Sequence, residues 1–153
     1  MDCTCPDILL VEDSDSDAEL ALHALRRSAA NHRVKRVRDG VEALDFLFGT
    51  GAFQKRDRVI IPRCILLDLK LPKVDGLQVL TALRADARMQ TVPCVVMSSS
   101  REVVDIRRCY ELGANSYVVK PVDFDRFSRT IQRIEAYWLS TNEWRSANEM
   151  GSP

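Results

Sequence analysis

One pattern recurs along this chain and constrains its fold more than any other: a short apolar run of strand length, ended by polar residues and followed by apolar positions at helical spacing. Ile8-Leu9-Leu10-Val11 stops at Glu12-Asp13, Cys64-Ile65-Leu66-Leu67 at Asp68, Val92-Pro93-Cys94-Val95-Val96-Met97 at Ser98-Ser99-Ser100, and Ser116-Tyr117-Val118-Val119 at Lys120-Pro121. Runs that stay apolar on both faces read as strands of a parallel sheet covered on both sides. Val34-Lys35-Arg36-Val37, closed by Asp39-Gly40, is a weaker strand of the same kind. The five strands alternate with five helices, which predicts an α/β fold: a doubly wound, five-stranded parallel sheet.

The connecting segments carry helix punctuation. Ser14, Asp15, Ser16 and Asp17 offer caps and first-turn negative charge before Ala18, Leu22, Leu25 and Ala29 recur at helical spacing. Val41, Leu44, Phe46, Leu47 and Phe48 predict a helix of about two turns. Leu71-Pro72-Lys73-Val74-Asp75-Gly76 is a turn leading to Leu77, Leu80 and Leu83; Arg101 to Leu112 reads as a helix stopped by Gly113. Asp123 caps a last helix in which Phe124, Phe127, Ile131, Ile134 and Trp138 form an apolar stripe. Gly49 to Arg63 is a long loop whose Lys55, Arg56 and Arg58 read as a solvated face.

With 153 residues, one domain is expected, running from Asp7 to Leu139 with terminal extensions 1–6 and 140–153. Lys plus Arg and Asp plus Glu are both 22, so no overall positive charge favours nucleic acid, and no helix pair for reading DNA fits after the fifth helix. No apolar stretch approaches the roughly 20 residues of a membrane span, and no signal peptide opens the chain, so a cytoplasmic location without membrane attachment is expected. Five cysteines, an odd number, make no disulfide framework; Cys64, Cys94 and Cys109 sit among apolar neighbours as small hydrophobes. Cys3-Thr4-Cys5 lacks the spacing of a zinc clamp, and His23 and His32 are expected to be solvated.

A parallel sheet gathers the carboxyl ends of its strands on one edge, where open α/β sheets keep their sites. Glu12, Asp13, Asp68, Ser98 and Lys120 therefore meet. Three carboxylates so close need a proton or a cation, and an oxygen-only donor set with room for water suits Mg²⁺. Asp68 would then be the nucleophile that forms an aspartyl phosphate, with Ser98 and Lys120 meeting the phosphoryl oxygens. Taken singly, Asp68 also reads as a strand terminator, Lys120 as a surface lysine and Ser98 to Ser100 as a helix cap. The Lys120-Pro121 bond is a candidate cis turn that would aim the lysine inward. Asp13, Asp15 and Asp17 alternate like a calcium loop, but Ala18 and Ala24 replace its glycine and its final acid.

Together these residues resemble the receiver domain of two-component response regulators. The resemblance rests on Glu12-Asp13, on Asp68 with Leu71-Pro72 and Asp75-Gly76 after it, on Ser98 and on Lys120-Pro121, and it covers Asp7 to Leu139. Thirty positions separate Asp68 from Ser98 and twenty-two separate Ser98 from Lys120, as in that family. It implies a flavodoxin-like (βα)5 fold, Asp68 as phosphoacceptor, and Mg²⁺ held by Asp13, Asp68, the backbone carbonyl of Lys70 and, through water, Glu12. It also implies Ser98 and Tyr117 as the switch pair and Pro121 as a structural turn. Serine stands at 98 where threonine is commoner, and Lys70 puts a cation beside the phosphoacceptor. The long loop before the third strand and the ending Ile134 to Thr141 are similar to single-domain regulators paired with bacterial phytochromes. That likeness implies a sensor histidine kinase as phosphodonor and a homodimer through the face of the fourth helix, fifth strand and fifth helix, near which lie Tyr137, Trp138 and Trp144. Such a module is not an enzyme acting on other substrates. A phosphorylation-independent dimeric scaffold is the alternative; an aspartyl-phosphate hydrolase would need an acid where Lys70 stands.

Overall fold

The computed structural model describes residues 5–28, 30–53 and 61–144. Strands β1 (Ile8–Val11), β2 (Val34–Val37), β3 (Cys64–Asp68), β4 (Cys94–Ser98) and β5 (Ser116–Val119) alternate with helices α1 (Asp15–Arg26), α2 (Gly40–Phe48), α3 (Gly76–Ala85), α4 (Val103–Glu111) and α5 (Phe124–Glu135). The strands form one parallel sheet in the order β2-β1-β3-β4-β5. Every residue of β1, β3 and β4 is buried, while the edge strands β2 and β5 are mostly half-buried. That difference explains why the apolar signal was strong in the first three and weak in β2.

Alternate strand residues supply two separate cores. Leu9, Val11, Ile65, Leu67 and Val96 meet Leu47 of α2 and Leu80 and Leu83 of α3 on one face. Ile8, Leu10, Leu66 and Met97 meet Ala18, Ala21 and Leu25 of α1 and Phe127, Ile131 and Ile134 of α5 on the other. The expected caps form: Ser14 accepts from the Asp17 amide, Asp39 from Glu42, Asp75 from Gln78 in a reciprocal capping box, and Asp123 from Asp125. Gly76 begins α3 where only a glycine fits, because a Cβ there would lie 2.6 Å from the Asp68 carbonyl oxygen.

Several expectations need correction. His32 is not solvated: its Nδ1 lies 3.0 Å from Oε1 of buried Glu135, tying the loop before β2 to the end of α5. His23 is exposed as expected. Phe124 leaves the apolar stripe of α5 and is 70% exposed, because at the first turn it flanks a surface groove beside Leu20 and His23 rather than the sheet. The β4 ladder starts at Cys94, two residues later than Val92, since Pro93 has no N–H to contribute. Among the described residues no peptide bond is cis, so Lys120-Pro121 is trans and the lysine reaches inward without that turn. The aromatic trio divides: Trp138 packs on the α1–α5 core and Tyr137 is exposed, both within a π-helical turn over Ala136–Thr141, while Trp144 covers the Arg63 guanidinium. Residues 29, 54–60 and 145–153, with the expected basic cluster Lys55, Arg56 and Arg58, lie outside the described residues, as does Cys3.

Candidate functional site

The strand ends deliver the acidic residues to one place. β1 runs straight into Glu12, whose amide donates to the Val37 carbonyl and so extends the β1–β2 ladder by one step. Asp13 follows and is exposed, and β3 ends in Asp68, which is buried. Carboxylate oxygens of Glu12, Asp13 and Asp68 all lie within 4.8 Å of one another. From the far side of the sheet, the Lys120 amide donates to the Ser98 carbonyl at 2.8 Å and continues the β4–β5 ladder. The Lys120 ammonium then lies 3.0 and 3.2 Å from the two Glu12 oxygens, 3.0 Å from Asp17 Oδ2 and 3.3 Å from Asp68 Oδ2.

Among the described residues the site sets four carboxylates against one ammonium. Burial pushes the Glu12 carboxyl up to about 7, the Asp68 charge adds to the rise and Lys120 opposes it. Burial works against the Lys120 charge, but Asp68 and Glu12 outweigh it and hold the amine above the ordinary lysine range. A small hard cation would relieve the same deficit. The donors are all oxygens, Glu12 and Asp68 are fixed by buried strands, and exposed Asp13 leaves water on one side, so the residues present fit a divalent ion with a partly aqueous shell.

The remaining expected residues take these places. Ser98, fully buried, follows the Met97 that pairs with Asp68, and its hydroxyl accepts from the Ser100 amide at 3.1 Å. Lys70 is exposed, with its amide donating to Asp68 Oδ1 at 3.3 Å. Half-buried Tyr117 donates its hydroxyl to the Ser100 carbonyl at 2.9 Å, and Pro121 is half-buried at the start of the loop into α5. Three participants were not foreseen. Asp17 was read as helix-cap or first-turn charge and in a calcium-loop pattern that fails, Arg36 only as part of a weak strand, and the Ser100 hydroxyl, which donates to Asp105 Oδ2 at 2.5 Å, only as a possible cap. Asp17 and Arg36 depend on contacts between distant segments that sequence spacing does not reveal, whereas the Ser100 contact is local to the start of α4.

The pattern of the response regulator receiver domain matches residues 8–132. The chain belongs to the response regulator receiver family. This receiver is 40% identical over 135 residues to the probable methanogenesis regulatory protein FilR2 of Methanothrix harundinacea, covering 88% of this chain and 84% of that one. It is 37% identical over 134 residues to the response regulator Rcp1 of Synechocystis sp., covering 88% and 89%. The Mn²⁺-bound structure of Rcp1 matches it with a TM-score of 0.84 at 35% identity, covering 92% of this receiver and 99% of that chain. The phosphorylated cyanobacterial phytochrome response regulator RcpA matches with a TM-score of 0.85 at 38% identity, also covering 92% and 99%. The receiver is thus a two-component signalling module with the flavodoxin-like fold, similar to phytochrome regulators. No helix among its described residues is long and apolar enough to cross a membrane.

Proposed function

We propose that the receiver, from Asp7 to Leu139, accepts a phosphoryl group on Asp68 from the phosphohistidine of a sensor histidine kinase and signals through the change in its own surface. The observation that carries this reading is the Lys120 ammonium 3.3 Å from Asp68 Oδ2, inside an all-oxygen cluster at the carboxyl edge of the sheet. An Asp68 oxygen forms the new bond to phosphorus as the phosphorus–nitrogen bond breaks, and the ring, protonated on its other nitrogen, departs as neutral imidazole. Mg²⁺ held by Asp13, Asp68, the Lys70 carbonyl and, through water, Glu12 would screen charge and polarise the phosphoryl oxygens. Lys120 is placed to neutralise one developing oxygen charge and Ser98 to donate to another.

The Ser98 hydroxyl currently accepts from Ser100, whose carbonyl holds Tyr117 and whose hydroxyl holds Asp105 at the start of α4. Drawing Ser98 toward a phosphoryl group loosens this knot, so Ser98 and Tyr117 act as the switch. Moving a population from 1:99 to 99:1 takes about 5.5 kcal/mol of differential stabilisation, within reach of a few charge-assisted hydrogen bonds. Exposed Val103 and Val104 on α4 support a homodimer through the α4, β5 and α5 face. The likeness to RcpA supports a phytochrome kinase as donor; FilR2, of comparable identity, carries a different pathway in its name, and phosphotransfer from a phytochrome kinase separates the two. The protein works in the cytoplasm, apart from nucleic acid and membrane, and catalyses only its own phosphorylation and dephosphorylation. With a small phosphodonor and Mg²⁺, the wild type takes up a phosphoryl group and Asp68→Asn takes up none; uptake that survives in Asp68→Asn overturns the reading.

A further inference from the structure

The two leading carboxylates of the site, Glu12 and Asp13, stand on the short bridge between the end of β1 and Ser14, the cap of α1. Backbone carbonyls on such a bridge have left the strand ladder, and unpaired they would let the segment rotate. One side chain takes both. Arg36, in the middle of β2 and paired in register with Leu10, sends its guanidinium along the edge of the sheet to this bridge. Its Nε donates to the Glu12 carbonyl at 3.1 Å, Nη2 to the same oxygen at 3.0 Å and to the Asp13 carbonyl at 3.4 Å, and Nη1 to Asp15 Oδ1 at 2.8 Å. The side chain is only 16% exposed.

The direction of these bonds matters. The Arg36 cation lies on the backbone of the acidic bridge and takes its carboxylate partner from Asp15, the first residue of α1. It pairs with none of the carboxylates that form the cluster with Asp68. Arg38 also meets Asp15, at 3.0 Å, but touches neither carbonyl. A planar fork that holds two successive carbonyls and the next helix start fixes orientation in a way that a point charge cannot.

We propose that Arg36 is a positioning residue of the metal site: it sets the aim of the Glu12 and Asp13 carboxylates by clamping the backbone that carries them, without neutralising them. The inference rests on the reading of this cluster as a divalent cation site. Residues that orient ligands in this way cost 10–100-fold in metal affinity when replaced.

The sign of the effect separates this role from simple electrostatics. Removing a positive charge beside an acidic site strengthens cation binding through Coulomb attraction, whereas loss of the clamp weakens it. Direct Mn²⁺ and Mg²⁺ titration of the full chain, by calorimetry or by the Mn²⁺ electron-spin signal, reads affinity without any phosphorylation. Arg36→Gln is expected to weaken Mn²⁺ binding by about tenfold, and Arg38→Gln, which removes an equal charge nearby, to leave it unchanged or tighter. Arg36→Lys keeps the charge and loses the fork; at wild-type charge it is expected to bind more weakly than the wild type, since a flexible ammonium does not hold both carbonyls and Asp15 in one plane. Thermal unfolding of each variant in EDTA checks that the fold is intact, and if Arg36→Gln does not fold, Arg36→Lys decides. Arg36→Gln or Arg36→Lys binding as tightly as wild type overturns the positioning role while leaving the metal site standing. A wild type that binds neither ion overturns the metal reading itself, and the positioning role with it.

Discussion

Lys120→Met removes the one ammonium that joins the cluster among the described residues, and its cost can be worked from the contacts it breaks. The lysine side chain is 10% exposed and meets Glu12, 5% exposed, and Asp68, 10% exposed, with Asp17 at the rim. Removing one partner of a buried pair costs about 3–5 kcal/mol, because the other charge stays behind without compensation. Glu12, whose carboxyl burial already pushes up to about 7, can relieve part of this by taking a proton, which places the expected loss near the lower limit, about 3 kcal/mol at neutral pH in EDTA. Mg²⁺ changes the comparison. An ion that binds only the folded state stabilises it by about 2.7 kcal/mol at a hundred times its dissociation constant. In the wild type the ion shares its carboxylates with Lys120; in Lys120→Met it does not. Mg²⁺ therefore stabilises the variant more than the wild type and narrows the gap between them by about 1 kcal/mol or more. Urea unfolding followed by tryptophan fluorescence, with EDTA and with Mg²⁺, measures both gaps. Equal gaps in the two conditions would show that lysine and metal do not compete for the same oxygens, and the account of the site's charge would fail.

Three further outcomes are expected. Glu12 has a folded-state value of about 7, above its unfolded 4.5, so the folded state holds the extra proton; the stability this brings is complete below pH 4.5 and lost as pH rises through 7. Metal-free protein accordingly loses up to about 3 kcal/mol between pH 5 and 8, and a stability in EDTA that rises over that range refutes the assignment. Gly76→Ala drives a methyl group to 2.6 Å from the Asp68 carbonyl oxygen and 2.8 Å from the Leu69 Cα, so it should lower the unfolding free energy measured in urea by about 1–3 kcal/mol and slow uptake of the phosphoryl group; wild-type behaviour in both would mean the turn has slack. His32→Ala leaves the Glu135 carboxylate, 4% exposed, without its partner and should cost about 2–3 kcal/mol, measured by the same unfolding transition; a loss below about 0.5 kcal/mol would show that water replaces the imidazole.

The residues that sequence reading found are those whose position follows from chain direction. In a parallel sheet, the last residue of every strand must reach the same edge, so Glu12, Asp13, Asp68, Ser98 and Lys120 were legible from where their apolar runs stop. The residues it missed act sideways. Asp17 reaches Lys120 across more than a hundred positions of sequence, and Arg36 reaches forward from β2 to the bridge after β1. Nothing in a half-polar edge strand marks one of its cations as structural. Glu135 had a faint signal, for it lies four positions after Ile131 and so falls beside the apolar stripe of α5, where a carboxylate needs a partner. Phe124 carried the opposite, false signal: its spacing fits the stripe, but at the first turn of α5 it is exposed and lines a surface groove with Leu20 and His23. Periodicity gives the face of a helix and not how far the sheet extends beneath it.

The central claim is that Asp68 receives the phosphoryl group. Incubating the receiver with a histidine-phosphorylated phytochrome kinase and Mg²⁺, reducing the acyl phosphate with borohydride and locating the altered residue by peptide mass spectrometry tests it most directly. The account predicts a single altered residue, Asp68, that is absent when EDTA replaces Mg²⁺. Modification at Asp13 or Asp17 with Asp68 unaltered, or transfer that proceeds equally well in EDTA, would contradict it.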